Sequence, residues 1–487
     1  MNETRINKNA TYNIIKNIFA IVFPLITFPY ISRVLGAENT GKINFGNSIV
    51  SYFGLVASLG VTTYAIRECA TIKNDRKKLS EVSSQIFSIN ILSTIIAYTA
   101  LMITLVVASP LESYRFLITV QSTTIICGTL GADWLNTAMS DFRYIAIRTI
   151  MFQLLSLVLM FLFVRNRNDY MIYVYISVIA LSGSNILNIY YRRRFCSVKF
   201  TKNMRVKHHI KPILVLFSMH LAQTIFVSTD TTILGIARGD FEVGLYGAST
   251  KIYNMVNTTV ASIAWVVMPE MSIFFVERDY EKINGLLKYT ANIILVLGLP
   301  CLIGINLLAE EIILTMAGNE YLGAVSSLRV LTISLAFSFA GGFIGNIILL
   351  PSKRENIMLV GSIISAIVNL ILNLILIPIL GLNAAAVTTV IANAVCFAFG
   401  IPFVDKEIKI MEKRKMLKAP VLGVIGMSVV VVAIKMLYLN AILTMLLGIG
   451  CGSIAYFVVL LLLKDEFTVQ YVRQVTEKIG GARSWRK

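Results

Sequence analysis

An all-α polytopic membrane protein with about fourteen transmembrane helices is the fold class this sequence predicts, and three observations predict it. First, 56% of the 487 residues are hydrophobic and only 14% are charged, against about 25% charged in a soluble domain. Second, the apolar residues fall in runs of roughly twenty, the length that crosses about 30 Å of hydrocarbon. Third, Lys and Arg alternate between heavily and lightly charged loops. Length alone suggests about three domains, but the uninterrupted succession of runs argues for one continuous membrane domain.

The predicted spans are 12–33, 43–66, 82–107, 114–136, 142–164, 170–190, 212–237, 243–270, 289–308, 322–349, 356–378, 383–402, 418–438 and 441–463. In lipid, every backbone polar group must be satisfied inside the segment. These lengths suit helices and are too long for barrel strands. Met1-Asn2-Glu3-Thr4-Arg5 leads into the first run without a small-residue cleavage site, so it reads as an uncleaved first helix and not a signal peptide. Pro24 and Pro29 each remove a hydrogen bond from span 1, giving either a static bend or a hinge. Asn369 and Asn373 lie four apart on one face of span 11 and read as helix–helix glue.

With the N-terminus in the cytoplasm, 34 of the 44 Lys and Arg residues fall on the cytoplasmic side and 6 on the other. That asymmetry predicts an N-in, C-in orientation. The heaviest cytoplasmic segments are 67–81, 191–211, 404–418 and the tail 464–487. The net charge of +18 is thereby assigned to topology, and nucleic acid is not expected as a partner.

The chain also reads as duplicated. Gly41-Lys-Ile-Asn-Phe-Gly-Asn-Ser opens span 2, and Gly244-Leu-Tyr-Gly-Ala-Ser opens span 8. Each follows a short outside loop after a span ending in a Leu-Gly pair, Leu35-Gly36 and Leu234-Gly235. Six spans per half bring both halves in from the same side, a parallel repeat about an axis along the membrane normal. The expected organisation is an N-terminal six-helix bundle over 1–195 and, after a basic cytoplasmic loop, a C-terminal six-helix bundle over 196–404. A helix pair over 405–463 and a basic tail over 464–487 complete it. The two bundles are pseudo-symmetric and would flank a central cavity.

Four basic residues remain inside the spans: Arg148, Lys251, Arg329 and Lys435. Ionised groups in the bilayer are costly and face a cavity or a partner. Lys251 lies about eight residues into span 8, roughly 12 Å along the helix. It reads either as the ion-pair partner of a carboxylate such as Asp230 or as a cation receiving an anionic head group, and its tail is long enough to snorkel. Arg148 in span 5 and Arg329 in span 10 could each snorkel or face the cavity. Arg33 and Arg67 cap the ends of spans 1 and 2, as topology anchors or as the rim of a site, while Lys435 reads as an anchor. The candidate substrate-binding cations are therefore Lys251, Arg148, Arg329, Arg33 and Arg67. Asp133, Asp230 and Glu270 lie on separate spans with no catalytic signature around them. They suit helix positioning or proton coupling better than paired acid–base hydrolysis. No catalytic residue is assigned.

The six cysteines are isolated and the three histidines badly spaced, so neither a disulfide framework nor a metal site is expected. No G-x-x-x-x-G-K-[ST] loop is present, which argues against direct ATP use.

Three stretches carry a resemblance: Phe23-Pro-Leu-Ile-Thr-Phe-Pro-Tyr-Ile-Ser-Arg-Val-Leu-Gly36, Ala132-Asp-Trp-Leu135, and Val368-Asn-Leu-Ile-Leu-Asn-Leu-Ile-Leu-Ile-Pro378. Together, over essentially the whole chain, they resemble the Wzx-type polysaccharide flippases of O-antigen and capsule synthesis. That group belongs to the multidrug/oligosaccharidyl-lipid/polysaccharide (MOP) exporter superfamily. The resemblance implies two six-helix bundles plus a final pair in the bacterial inner membrane. It implies no enzymatic activity, and translocation of an undecaprenyl-pyrophosphate-linked oligosaccharide to the outer leaflet by alternating access. It implies no cofactor beyond coupling to H+ or Na+, and as partners the bilayer, a polysaccharide polymerase and a chain-length regulator. Lys251 stands where related lipid II flippases place a cavity arginine. Asn393 stands where relatives often carry Glu, which puts a carboxylate role there in doubt. Charge-assisted donors from Lys or Arg suit a pyrophosphate.

Three alternatives stay open. A multidrug or cation antiporter of the same fold would offer carboxylates to its substrate, and span 1 has none between Tyr12 and Ser32. A polysaccharide polymerase or ligase would need a long outside loop, yet the longest, 309–321, carries Glu310, Glu311 and Glu320 and no Lys or Arg. A scaffold for envelope proteins would use the basic tail.

Overall fold

A computed structural model describes residues 3–408, 413–465 and 468. Most of the tail 464–487 lies outside the described residues. Among those described, every regular element is helical. The chain folds into two compact units, Met1–Gly247 and Ala248–Lys487.

The first unit contains α1 (Glu3–Ser58), α2 (Val61–Thr71), α3 (Arg76–Val107), α4 (Arg115–Gly131), α5 (Trp134–Ala138), α6 (Phe142–Phe163), α7 (Tyr170–Tyr191) and α8 (Val206–Arg238). It ends in the first turns of α9 (Asp240–Glu277). The second unit holds the rest of α9, then α10 (Tyr280–Leu307), α11 (Ala309–Met316), α12 (Ala324–Gly342), α13 (Glu355–Leu380), α14 (Leu382–Gly400), α15 (Lys413–Lys435) and α16 (Ala441–Leu462).

Among the described residues, twelve helical segments are long and apolar enough to cross a membrane. Two local features separate that number from the predicted fourteen. Spans 1 and 2 run on as α1, with a single non-helical residue, Gly36, between them. Span 4 is read as 114–136, but α4 stops at Gly131 after 17 residues, where Ala132 takes a left-handed φ of 48°. Seventeen residues are the lower limit for a spanning helix.

The outward surface is apolar, as lipid requires. Val107 is 74% exposed, Trp265 66% and Val266 80%, a load that would aggregate in water. Inside the first unit, Leu79, Ile86, Leu135 and Ile213 are buried around Cys69 and Trp134. In the second, Met271, Ile283, Leu287 and Ile347 form one cluster. The last pair, α15 and α16, packs on itself and against α10 and α11, burying Leu308, Val431, Tyr456 and Leu460.

The duplicated openings have matching backbones. Gly36 sits at φ 76°, ψ 174°, and Gly239 at φ 86°, ψ −179°. This region is essentially open to glycine alone. Each bends the chain into the next helix, and four residues beyond the following position comes the second glycine, Gly41 or Gly244. There the two corners meet. A β-carbon on Gly41 would lie 1.8 Å from the Asp240 carbonyl oxygen, and one on Gly244 would lie 1.9 Å from that of Ala37. The contact is reciprocal, each glycine packing against the backbone at the start of the other corner. Asp240 also accepts the Tyr114 hydroxyl on both carboxylate oxygens, at 2.7 and 2.8 Å.

Candidate functional site

The charges expected inside the membrane have unequal surroundings. Arg148, on α6, is 3% exposed and donates to Asp133, which stands between α4 and α5. It also donates to the Ser184 carbonyl on α7 at 3.2 Å, and its guanidinium lies 5.3 Å from the Tyr144 ring centroid. Asp133 accepts in addition from Asn136 Nδ2 at 3.2 Å. Asn136 reaches Asn188 on α7, and Asn188 donates to the Gly131 carbonyl at 2.8 Å. The stretch Ala132-Asp-Trp-Leu135 is thus the junction that fastens α4 and α5 to α6 and α7. It neutralises a buried cation one for one, as burial demands.

Beside this junction lies a pocket of about 860 Å³, lined by Tyr12, Asp141, Arg143, Tyr144, Tyr191 and Arg194 among others. The Tyr144 and Tyr191 rings are stacked at 3.5 Å and 7°, and the Tyr191 hydroxyl donates to Asp141 at 2.7 Å. Stacked aromatic rings flanked by arginines make a surface for sugar rings and anions together.

Asp230, on α8, is buried and accepts the Tyr246 hydroxyl at 2.7 Å. Around it runs a seam of hydroxyls between α1 and α8. Ser51 and Ser228 meet at 2.8 Å, Thr232 donates to Ser48 at 2.9 Å, and Tyr52 and Thr232 meet at 3.2 Å. Sequence reasoning missed this seam. Its signal was the helical spacing of Ser48, Ser51 and Tyr52 and of Ser228, Thr229 and Thr232, which apolar periodicity overlooks.

Lys251 is half-buried on α9. Arg329, exposed on α12, lines a pocket of about 520 Å³ with Asn306, Lys435 and Tyr438. Lys435 binds Glu311 at 2.9 Å and the Leu307 carbonyl at 3.0 Å. Arg33 is exposed and donates to the Pro29 carbonyl at 2.9 Å. Arg67, on α2, and Glu270, on α9, are exposed. Pro24 and Pro29 lie inside the helical stretch of α1, and the non-helical residue of α1 is Gly36. Asn369 and Asn373 are fully buried, bonded to each other at 2.9 Å, and Asn373 accepts from Thr388 on α14. Asn393 donates to Ser334 at 2.7 Å and to the Tyr253 hydroxyl at 3.4 Å. Among the described residues no cluster of His, Cys, Asp or Glu could hold a metal ion.

Comparison with known proteins agrees with this architecture. The chain is 20% identical over 273 residues to a protein of Escherichia coli (strain K12) named "Putative O-antigen transporter"; the match spans 56% of this chain and 66% of that protein. A protein of the same name from Shigella dysenteriae is 21% identical over 340 residues, 69% of this chain and 84% of that one. Among solved structures, the lipid II flippase MurJ in an inward closed conformation superposes with a TM-score of 0.72 at 15% identity, covering 95% of this chain and 100% of that one. An inward-facing multidrug resistance MATE transporter of the MOP superfamily gives 0.60 at 15% identity, covering 81% and 96%. At such identities the likeness establishes the fold. The relatives' names describe transporters rather than enzymes, and the chain is a multi-pass protein of the bacterial inner membrane. The family described as "Polysaccharide biosynthesis protein" matches residues 6–275, more than half of the sequence, and the chain belongs to that family.

Proposed function

We propose that this protein flips an undecaprenyl-pyrophosphate-linked oligosaccharide from the cytoplasmic to the outer leaflet by alternating access. The observation that carries the reading is a fold shared over 95% of the chain with a lipid II flippase, in a member of a polysaccharide biosynthesis family. The same reading keeps the N-in, C-in orientation, the six-plus-six-plus-two organisation, and a polymerase and chain-length regulator as partners. Transport is driven by an ion gradient, of H+ or Na+, or by the membrane potential, so collapsing both gradient and potential stops it.

Within this reading the anion-binding cation is Lys251, with Arg33, Arg67 and Arg329 as exposed cations along the route. Arg148 takes a helix-positioning role, because Asp133 already neutralises it. Asp230 is likewise a positioning group, held by Tyr246. The pocket lined by Tyr144 and Tyr191 offers the sugar the outer edge of that aromatic pair.

The test is to delete the gene in its host and follow the lipid-linked oligosaccharide. Accumulation on the cytoplasmic side, restored by the wild-type gene and not by Lys251→Ala, supports flipping and the anion site. Normal flipping with unpolymerised units outside would replace it with a polymerisation role. Drug resistance on expression would favour the antiporter that shares the fold.

A further inference from the structure

The two heavily basic segments 67–81 and 191–211 fold onto each other. The extended stretch after α7 runs along α3 and is fastened to a row of serines. Ser197 N–H donates to Ser80 Oγ at 3.2 Å, Lys199 N–H to Ser84 Oγ at 3.1 Å and Thr201 N–H to Ser88 Oγ at 2.8 Å. Ser84 Oγ also donates back to the Ser197 carbonyl at 3.3 Å. The register is geometric. Four helical residues rise about 6 Å, and two extended residues span about 6.6 Å, so serines four apart meet alternate residues of the strand-like segment.

This ladder gathers Arg76, Arg192, Arg193 and Lys199, with Ser80 and Ser197, around a pocket of about 530 Å³ that no carboxylate lines. The two carboxylates that flank Arg76 and Ser80 in sequence are engaged elsewhere. Asp75 caps α3 through the Lys77 and Lys78 amides at 3.0 Å, and Glu81 pairs with Arg205 at 3.2 Å. Arg192 is buried, donating to the Leu130 carbonyl at 2.8 Å with its guanidinium 4.7 Å from the Phe87 ring centroid. Arg76 donates to the Arg193 carbonyl at 3.5 Å. Positive charge spread for topology gains nothing from convergence, since like charges repel. Here a specific hydrogen-bond ladder enforces it.

We propose that this pocket binds a phosphate group, with the Arg and Lys side chains neutralising its charge and the Ser197 hydroxyl adding a hydrogen bond. The phosphate belongs either to an anionic phospholipid of the surrounding leaflet or to a soluble phosphate compound, and the chemistry of recognition is common to both. The site stands apart from the translocated cargo and does not rest on the proposed flipping.

The full-length protein is purified into nanodiscs of two compositions. In discs mixing phosphatidylglycerol with phosphatidylcholine, native mass spectrometry counts the retained lipids. In discs of phosphatidylcholine alone, inorganic pyrophosphate is titrated and thermal stabilisation is read. Selective retention of phosphatidylglycerol, weakened at least about tenfold in the Arg76→Gln/Arg193→Gln double variant, supports the site with a lipid phosphate. Stabilisation by pyrophosphate, weakened equally in that variant, supports it with a soluble one. Both substituted residues are exposed, and the buried Arg192 is left in place so that the fold is kept. Lys202→Gln, on the same segment but outside the pocket lining, leaves binding unchanged. Equal weakening by Lys202→Gln, binding indifferent to the double variant, or absence of binding in both discs would overturn the proposal.

Discussion

Arg148 and Arg193 lie in the same unit and carry the same guanidinium, yet the chain treats them oppositely. Arg148 is sunk among α6, α7 and the Asp133 junction, with a carboxylate against it and a carbonyl beside it. Arg193 stands exposed with three other cations around a pocket that no carboxylate lines. The difference teaches how to read charge in this membrane protein. A buried cation that is matched by an acid of the same chain holds helices together. Exposed cations that converge without an acid, as Arg76, Arg193 and Lys199 do, are placed to meet an anion the chain does not supply.

The largest effect should come from unmatching the buried Arg148. Asp133→Ala leaves this cation without its carboxylate, and because the Asp133 side chain is itself 42% exposed the cost is about 2–3 kcal/mol. Thermal unfolding in detergent should show the loss, and a hydrophobic replacement of both partners, Asp133→Leu with Arg148→Met, should recover most of it. Failure of the double variant to recover would mean the pair does more than position helices.

Next come the reciprocal corners, which ask whether close packing fixes unit geometry as firmly as charge does. Gly41→Ala and Gly244→Ala each push a β-carbon into a carbonyl and should each cost about 1–3 kcal/mol. Because one separation of the corners relieves both clashes, the double variant should cost clearly less than the sum. Additive losses would show that the two contacts are independent. Gly36→Ala, which forces a side chain into a glycine-only conformation, should cost about 1–3 kcal/mol.

The smallest effect sharpens the other side of the comparison. Ser84→Ala removes the middle rung of the ladder, about 0.5–1.5 kcal/mol. Stability should barely move, while limited proteolysis within 196–204 should quicken. Unchanged proteolysis would mean that the serines do not hold the basic segment.

The fold was legible because lipid imposes long apolar runs and the Lys/Arg alternation orders them. Its departures were local. Gly36 lets span 1 continue into span 2 without a loop, and Ala132 ends α4 before the apolar run does. The candidate cations were legible as residue types out of place, but their fates were not. Arg148 and Asp133 are fifteen positions apart across two helix junctions, a spacing that no periodicity marks. The serine row at 80, 84 and 88 carried a helical period, but the extended segment it grips lies more than a hundred residues away. Gly41 and Gly244 were visible as a repeated motif, and only the structure shows that the copies touch.

The central claim, that the protein moves a lipid-linked oligosaccharide between leaflets, is tested most directly with the purified chain in liposomes. Undecaprenyl-pyrophosphate-linked oligosaccharide is reconstituted, an ion gradient imposed, and the fraction open to an impermeant sugar-modifying reagent followed over time. The account predicts rapid, gradient-dependent exposure of the inner pool, lost with Lys251→Ala. Exposure no faster than in protein-free liposomes, under every gradient tried, would contradict it.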